Sequence, residues 1–380
     1  MLLPQGETGH NSSNDPEPDM TDQDLHAHLI GRQGSRADLN TPVLVIDAPA
    51  LKRNIAEMAR FAASKGLQVR PHAKTHKSAD IAKLQLAAGA LGVCCAKMGE
   101  AEALAEGGDV SILITSPVVT PQAIARLIAL HARIGGLAVA ADNPDNVAAL
   151  AAAAKDAARP LPVFVDVDPG IRRTGVSSPE AAATLASAIA GSPSLRFAGV
   201  QFYCGAQQHI EAFAARRDAI EERTSYLRQV IETLTGAGFA PPIITGGGTG
   251  THRIDAALGV FTELQVGSYV FMDKQYTDCD LTGDGKAPFE TALFVDTHVI
   301  SANAPGMATL DAGFKALSTD GGSPTIVEGA PADCAFFFMG DEHSALLGGH
   351  SLKVGDRVVL SAPHCDPTVN LYDTYHLVRD

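Results

Sequence analysis

The hydrophobic and polar positions of this chain follow a regular order from Thr41 onward. Short apolar, β-branched runs alternate with longer Ala-rich segments in which apolar residues recur every three or four positions. The first pattern is typical of buried strands and the second of amphipathic helices. After the first helical segment we predict strands at 66–72, 92–97, 110–115, 137–142, 162–168, 197–203, 242–247 and 262–270.

Eight strands that alternate with helices over about 200 residues predict an α/β fold, a (β/α)8 TIM barrel. Several helical segments begin at Ser, Thr or Asn and end at Gly or Pro, as helices commonly do. A doubly wound open sheet is the alternative. It usually carries a Gly-rich turn after its first strand, whereas here the Gly-rich turn follows the seventh.

The chain divides into three parts on this pattern. Residues 1–40 are polar and contain several Pro and Gly residues, so we predict a disordered N-terminal extension. Residues 41–290 form the barrel, and 291–380 consist of short β-type runs that predict a C-terminal all-β domain. The run 41–48 precedes the first helix of the barrel, is not needed for its eight strands, and is a candidate to join the β-domain.

Composition restricts the possible partners. The formal net charge is -14, from 43 acidic and 29 basic residues, which argues against nucleic acid or an anionic membrane. No apolar run approaches the roughly 18 residues that a membrane span needs. The N-terminus lacks the pattern of a secretory signal, and the six cysteines have no repeating spacing, so we expect free thiols and a cytoplasmic protein.

The stretch ITGGGTGTH, residues 244–252, follows the seventh predicted strand. Loops after strands seven and eight of TIM barrels commonly bind phosphate, because backbone N–H groups converge there on an anion. We therefore predict a phosphate cradle at Gly247, Gly248 and Thr249, with the turn 267–271 as its other wall. A plain flexible loop is the structural alternative.

The stretch RPHAKTHK, residues 70–77, ends the first barrel strand on the face where barrel active sites lie. A lysine near a phosphate and away from water can have a lowered pKa and act as a Schiff-base nucleophile. Strand alternation predicts that Lys74 shares a face with Arg70, His72 and His76, and that Lys77 is solvated. A surface turn with solvated lysines is the alternative.

Further polar candidates lie in the β-domain and at the ends of strands five and six. His364 and Asp366 would point the same way on a strand, with Cys365 opposite, and could bind Mn, Mg or Zn. On spacing alone, a structural role for this H-x-D pair is favoured. The other candidates are Asp166, Asp168, Arg172, Arg173, Gln201, Tyr203 and His209.

Taken together, these stretches resemble the fold-type III pyridoxal-phosphate enzymes, in particular the family of D-threonine aldolase, D-3-hydroxyaspartate aldolase and D-serine dehydratase. The resemblance runs from about Thr41 to the C-terminus and implies an alanine racemase-like barrel. The matching stretches, in order, are RPHAKTHK, GVCCAK, GVQFYCGAQQH, ITGGGTGT, TELQVGSYVFMD, LDAGFKA, DEH and HCDPTVNLYD.

The resemblance also implies roles for single residues. Lys74 would bind pyridoxal 5'-phosphate covalently, and His209 would be the base for the substrate hydroxyl. His364 and Asp366 would be the metal ligands, for Mn or Mg rather than Zn. The remaining implied cofactor contacts are His72, Arg173, Tyr203, Gly247, Gly248, Thr249, Gly267, Ser268 and Tyr269.

The implied function is metal-dependent retro-aldol cleavage of D-threonine and related D-3-hydroxy amino acids, by a homodimer. The H-x-D register favours an aldolase, because the D-serine dehydratases of the family have His and Cys in an H-x-C register. The alternatives are D-3-hydroxyaspartate aldolase activity, β-elimination from D-serine or D-3-hydroxyaspartate, a cofactor-carrying regulatory protein, and a barrel that binds a sugar phosphate without a cofactor.

Overall fold

The computed structural model of the chain describes residues 22–331 and 333–379. Most of the predicted disordered extension, 1–21, lies outside the described residues. Residues 22–39 form a compact unit with a short helix, α1 (Asp22–His26), and two 3-10 turns. Leu25 and Leu29 are spaced one helical turn apart and Leu29 is buried, which favours helical turns over the disorder predicted for this stretch.

The barrel is present as predicted. The first nine strands of the chain are β1 (Val43–Asp47), β2 (Gln68–Val69), β3 (Val93–Cys95), β4 (Ile112–Ile114), β5 (Leu137–Ala141), β6 (Leu161–Asp166), β7 (Leu195–Phe202), β8 (Ile244–Gly246) and β9 (Glu263–Leu264). Strands β2 to β9 are parallel and lie in the order β2-β9-β8-β7-β6-β5-β4-β3. A parallel bridge between His72 and Cys94 joins the two ends of this sheet and closes it.

Helices cover the outside of the barrel and begin where the sequence signals indicate. The Thr120 hydroxyl accepts from Ala123 N–H, and the Asn143 side chain accepts from Asp145 N–H. The helices are α2 (Ala48–Ser64), α3 (Ala79–Ala87), α4 (Met98–Glu106), α5 (Pro121–Arg133), α6 (Pro144–Ala153), α7 (Pro179–Ala190), α8 (Phe213–Gly236), α9 (His252–Leu258) and α10 (Lys274–Thr277). No helix in the described ranges is both long and apolar enough to cross a membrane.

The C-terminal part is a largely antiparallel sheet. Its elements are β10 (Leu293–Ser301), β11 (Met307–Leu310), β12 (Thr325–Glu328), β13 (Ala335–Phe338), β14 (Ser344–Leu347), β15 (Arg357–Ser361), α11 (Cys365–Val369) and β16 (His376–Val378). The strand order is β12-β15-β10-β11-β14-β13. β1 pairs with β10 and β16, so the run at 43–47 lies in this sheet and not in the barrel.

One local prediction in this domain is wrong. His364, Cys365 and Asp366 do not lie on a strand, because β15 ends at Ser361 and His364 is the residue that precedes α11. Pro367 within α11 fits the first turn of a helix, where no backbone N–H is required.

Candidate active site

The segment after β2 forms a tight turn that presents Lys74. Residues Ala73–Thr75 form one turn of 3-10 helix, and His72 Nδ1 accepts from the backbone N–H of Lys74 at 3.4 Å. His72 Nε2 therefore carries the ring proton and donates to Thr115 Oγ1 at 3.1 Å. Burial and the charge of Lys74 lower the pKa of His72 to about 3, so a neutral imidazole holds this turn.

The predicted shared face of 70–76 is wrong, because β2 ends at Val69 and strand alternation stops there. Arg70 instead lies in the barrel interior, with Nε 3.0 Å from Glu263 Oε1. His76 Nε2 bonds Gln85 Oε1 at 3.2 Å, while Gln85 Nε2 donates to Tyr269 Oη at 3.0 Å. These bonds connect the lysine turn to the predicted phosphate turn.

Lys74 contacts the carboxylate of Asp366 from the C-terminal domain. Burial lowers the pKa of Lys74, but the charge of Asp366, the hydrogen bond to it, and the electrostatic contributions of Tyr203 and Cys365 together outweigh burial and raise this pKa above its ordinary value. The expectation of a lowered lysine pKa is therefore wrong in this structure. Lys77 is exposed, and its Nζ bonds Asn370 Oδ1.

The Gly-rich loop after β8 packs closely against its neighbours. Gly247 has φ +69, and a Cβ there would lie 2.6 Å from Asp255 Oδ2. A Cβ on Gly248 would overlap the Gln208 side-chain amide. A Cβ on Gly267 would lie 2.7 Å from Thr75 Oγ1. Glycine thus lets both turns lie against the rest of the site without a clash.

Backbone donors are available in these two turns. Thr249 Oγ1 accepts from Tyr269 N–H at 3.0 Å and so joins them. The backbone N–H groups of Thr249 and Ser268 find no acceptor within the described part of the chain, although both residues are buried. Buried donors of this kind need a partner, and a phosphate group supplies one. The loop therefore fits the phosphate of the implied cofactor.

Tyr203 and Arg173 lie together beside the lysine. Tyr203 follows β7, and the Arg173 guanidinium carbon is 5.5 Å from the centre of its ring. Burial raises the pKa of Tyr203, although Lys74 and Arg173 act in the opposite direction. Neutral phenol and guanidinium are groups suited to contact an aromatic cofactor ring and its oxygen.

The other strand-end candidates have structural contacts. Gln201 Nε2 donates to Asp166 Oδ1 at 2.9 Å inside the barrel, and burial raises the pKa of Asp166 to about 6. Asp168 Oδ1 accepts from the backbone N–H groups of Gly170 and Arg172 at 2.8 and 3.0 Å and so shapes the loop that carries Arg173.

His209 lies between the lysine region and the C-terminal domain. Its ring centre is 4.5 Å from that of Tyr276 and 6.4 Å from that of His364. The residue is exposed, yet its contacts desolvate the ring enough to lower the pKa of His209 to about 4, and His364 adds to this effect. Above that pH the imidazole is neutral and can accept a proton.

Sequence reasoning missed two residues in this region. Tyr276 is buried against His209, within a stretch just after the quoted motif TELQVGSYVFMD. Arg216 is fully buried and donates to the carbonyls of Ile210, Glu211 and Asp280, which fixes the loop that follows His209. The helical charge pattern of α8 suggested a solvated face and gave no signal for this buried arginine.

His364 and Asp366 are suitable ligands for a divalent cation. Burial raises the pKa of Asp366, but Lys74 overcomes this and lowers it to about 2, so the carboxylate is charged. Cys365 is buried with a pKa well above its ordinary value, and its backbone N–H donates to Asp273 Oδ2 at 2.8 Å. The thiol is therefore neutral.

Within 22–331 and 333–379 no group of three or more His, Cys, Asp or Glu is arranged around a metal position. Two protein ligands fit a cation that keeps several water or substrate oxygens.

Comparisons with known proteins agree on one family. The model of the alanine racemase N-terminal domain matches residues 46–275, and a model of a serine dehydratase domain matches 292–378. The chain is 38% identical over 349 residues to 3-hydroxy-D-aspartate aldolase of Paracoccus denitrificans, with 90% of each chain covered. It is 38% identical over 347 residues to D-threonine aldolase of Arthrobacter sp, again with 90% of each covered.

A solved structure extends this similarity to the fold. The crystal structure of D-threonine aldolase from Filomicrobium marinum superposes with a TM-score of 0.86 at 35% sequence identity. The match covers 90% of this chain and 92% of that one. It therefore includes both the barrel and the C-terminal sheet.

Proposed function

Since the chain belongs to the alanine racemase-like family that includes D-threonine aldolase and 3-hydroxy-D-aspartate aldolase, we propose that it cleaves D-threonine and related D-3-hydroxy amino acids to glycine and an aldehyde. The observation that carries the proposal is the contact of Lys74 with Asp366. It brings an amine that can bind pyridoxal phosphate beside a carboxylate that can bind a cation.

Two groups would be held by this site. Thr249 and Ser268 would bind the phosphate of pyridoxal phosphate through backbone N–H groups, and the Lys74 amine would bond to its aldehyde carbon. His364 and Asp366 would hold a divalent cation, Mn or Mg rather than Zn. When bound, pyridoxal phosphate supplies an electron sink at the substrate α-carbon and the cation polarises the β-hydroxyl oxygen.

The residues of the chain then perform the proton chemistry. Neutral His209 accepts the proton of the substrate β-hydroxyl. The oxygen forms the carbonyl of the aldehyde as the Cα–Cβ bond breaks, and the electron pair of that bond stays on the α-carbon fragment. A proton taken up at Cα then gives glycine. Tyr276 and Arg216 act indirectly, by fixing the ring and the loop of His209.

The buried thiol of Cys365 favours an aldolase over a dehydratase within this family. The dehydratases resembled by the sequence have cysteine as the second ligand, whereas here the carboxylate of Asp366 is the group that lies beside Lys74. The Cys365 thiol is neutral, and its Sγ donates to Asp366 Oδ1 at 3.4 Å, so it acts as a hydrogen-bond donor to this carboxylate. Elimination of the β-hydroxyl is therefore the less favoured reaction.

Initial rates of aldehyde release test this proposal. The purified protein, loaded with pyridoxal phosphate and Mn²⁺, is assayed with D-threonine, D-3-hydroxyaspartate and L-threonine. We expect release from the D substrates and none from L-threonine, and the ratio of kcat/KM for the two D substrates identifies the preferred side chain. Equal rates with D- and L-threonine would contradict the proposal.

We further propose a homodimer. β13 is an edge strand. Phe337 in it and Met339 directly after it have 60% and 52% of their surface exposed. Leu347 pairs with Ala335 on the neighbouring strand and extends this apolar patch. Exposed apolar edges of this kind usually face a partner. Light scattering should give twice the chain mass for the wild type and Val354→Asp, and less for Phe337→Asp.

A further inference from the structure

We propose that Asp320 is a positioning residue of the metal site: its carboxylate holds the His364 imidazole in the tautomer and orientation that bind the cation. This inference rests on the proposed function, in which His364 is a metal ligand. Asp320 lies in a turn between β11 and β12. None of the stretches that carry the family resemblance includes it.

The hydrogen bond determines the tautomer. His364 Nδ1 lies 2.6 Å from Asp320 Oδ2. An ionised carboxylate can only accept, so Nδ1 carries the ring proton and donates it. Nε2 is then the nitrogen with a free lone pair, which is the form that binds a metal. Histidine ligands of metal sites commonly donate their other ring N–H to a carboxylate in this way.

The turn that carries Asp320 is fastened to the same backbone as His364. Ser318 Oγ donates to the carbonyl of His364 at 3.0 Å, and Ser318 N–H donates to Thr368 Oγ1 at 3.1 Å. Thr368 Oγ1 in turn donates to the His364 carbonyl at 2.8 Å. Asp320 and His364 are therefore held by shared contacts, and the ring cannot turn without breaking the bond to the carboxylate.

Gly321 lets this turn come close enough. A Cβ at Gly321 would lie 2.8 Å from the carbonyl oxygen of Pro363, the residue before His364. The side chain of His364 is 21% exposed and that of Asp320 is 53% exposed. The carboxylate thus covers one edge of the imidazole from the solvent side, and its removal should not leave a cavity in the core.

The experiment measures Mn²⁺ affinity by calorimetric titration of the full-length protein loaded with pyridoxal phosphate. Loss of such a carboxylate partner typically weakens metal binding about 10- to 100-fold, and we expect a Kd increase in this range for Asp320→Ala. Asp320→Asn keeps an oxygen that accepts from Nδ1, so its Kd should lie between those of the wild type and Asp320→Ala. Asp333→Ala removes another exposed carboxylate of the same domain and should bind as the wild type does.

Activity at high Mn²⁺ provides a second readout. Asp320→Ala should recover its rate of aldehyde release once the cation is saturating, whereas His364→Ala should not. If His364→Ala loses Mn²⁺ binding while Asp320→Ala keeps the wild-type Kd, the positioning role is overturned and the metal site stands. If His364→Ala binds Mn²⁺ as the wild type does, the metal site itself is wrong. An Asp320→Ala protein that stays slow at saturating Mn²⁺ would also overturn the inference.

Discussion

The side chain of Lys74 lies in direct contact with the carboxylate of Asp366, although 292 positions separate them along the chain. One residue comes from the turn after β2 of the barrel and the other from α11 of the C-terminal domain. The ammonium and a metal ion would compete for the same carboxylate, because both bind its oxygen. The two halves of the proposed site are therefore coupled through this contact.

This coupling predicts an effect of Lys74→Ala on metal binding. In protein stripped of pyridoxal phosphate, removal of the ammonium frees Asp366, so we expect the Mn²⁺ affinity to increase by about 3- to 10-fold. Lys77→Ala removes an exposed lysine of the same turn and should leave the affinity unchanged. Equilibrium dialysis with Mn²⁺ measures both. A weaker affinity for Lys74→Ala than for Lys77→Ala would refute the competition.

His209→Ala should lower kcat for aldehyde release by about 100-fold or more, since it removes the neutral imidazole that accepts the hydroxyl proton. The Kd values for Mn²⁺ and pyridoxal phosphate should stay close to the wild-type values, because the residue is exposed at the edge of the site. His343→Ala, an exposed histidine of the C-terminal domain, is the control. Unchanged kcat in His209→Ala would exclude its assignment as the base.

Gly267→Ala should weaken the binding of pyridoxal phosphate by about tenfold. The added Cβ would lie 2.7 Å from Thr75 Oγ1 and would push the lysine turn away from the phosphate turn. Gly99→Ala is the matched control, because a Cβ there meets nothing within 4 Å. Cofactor affinity is measured by titration of the stripped protein, and equal Kd values for the two variants would show that the close approach has no role in binding.

The buried carboxyl group of Asp255 should make the free energy of unfolding of the protein depend on pH. It is buried beneath the Gly-rich loop, accepts from Thr251 Oγ1 at 2.5 Å, and burial raises its pKa from 3.8 to about 7. The folded protein therefore keeps a proton that the unfolded chain releases above about pH 4. The associated stabilisation is present below pH 4 and is lost as the pH rises through 7.

Asp255→Asn carries no charge to desolvate, so its advantage in unfolding free energy over the wild type should grow between pH 4 and pH 8. We expect about 1–3 kcal/mol at pH 8. Urea unfolding at both pH values measures this difference. Asp80→Asn, at an exposed position of α3, serves as the control. An Asp255→Asn advantage that shrinks as the pH rises would contradict the assignment.

The strands and helices of the barrel could be predicted from local patterns in the sequence. The eight strands are apolar runs. The side chains of Thr120 and Asn143 cap the starts of helices by accepting hydrogen bonds from residues no more than three positions further along the chain. α11 was predicted as a strand, because five residues are too few to establish a helical period. The turn at Lys74 was misjudged since the bond from its backbone to His72 ends the strand early.

The contacts that assemble the site could not be predicted from spacing. Lys74 meets Asp366, and Asp320 meets His364 from 44 residues away, only because the two parts of the chain fold together. The resemblance supplied the residue types that belong to the site. It did not indicate the raised pKa of Lys74, because that shift depends on how close the Lys74 amine lies to the Asp366 carboxylate in the folded chain.

The most direct measurement is a product analysis after incubation with D-threonine and Mn²⁺, with acetaldehyde, glycine and ammonia assayed together and a chelator-treated control. We predict acetaldehyde and glycine in equal amounts, lost on chelation and restored by Mn²⁺. Ammonia with 2-oxobutyrate would contradict cleavage of the Cα–Cβ bond and would assign the protein to the dehydratases of its family.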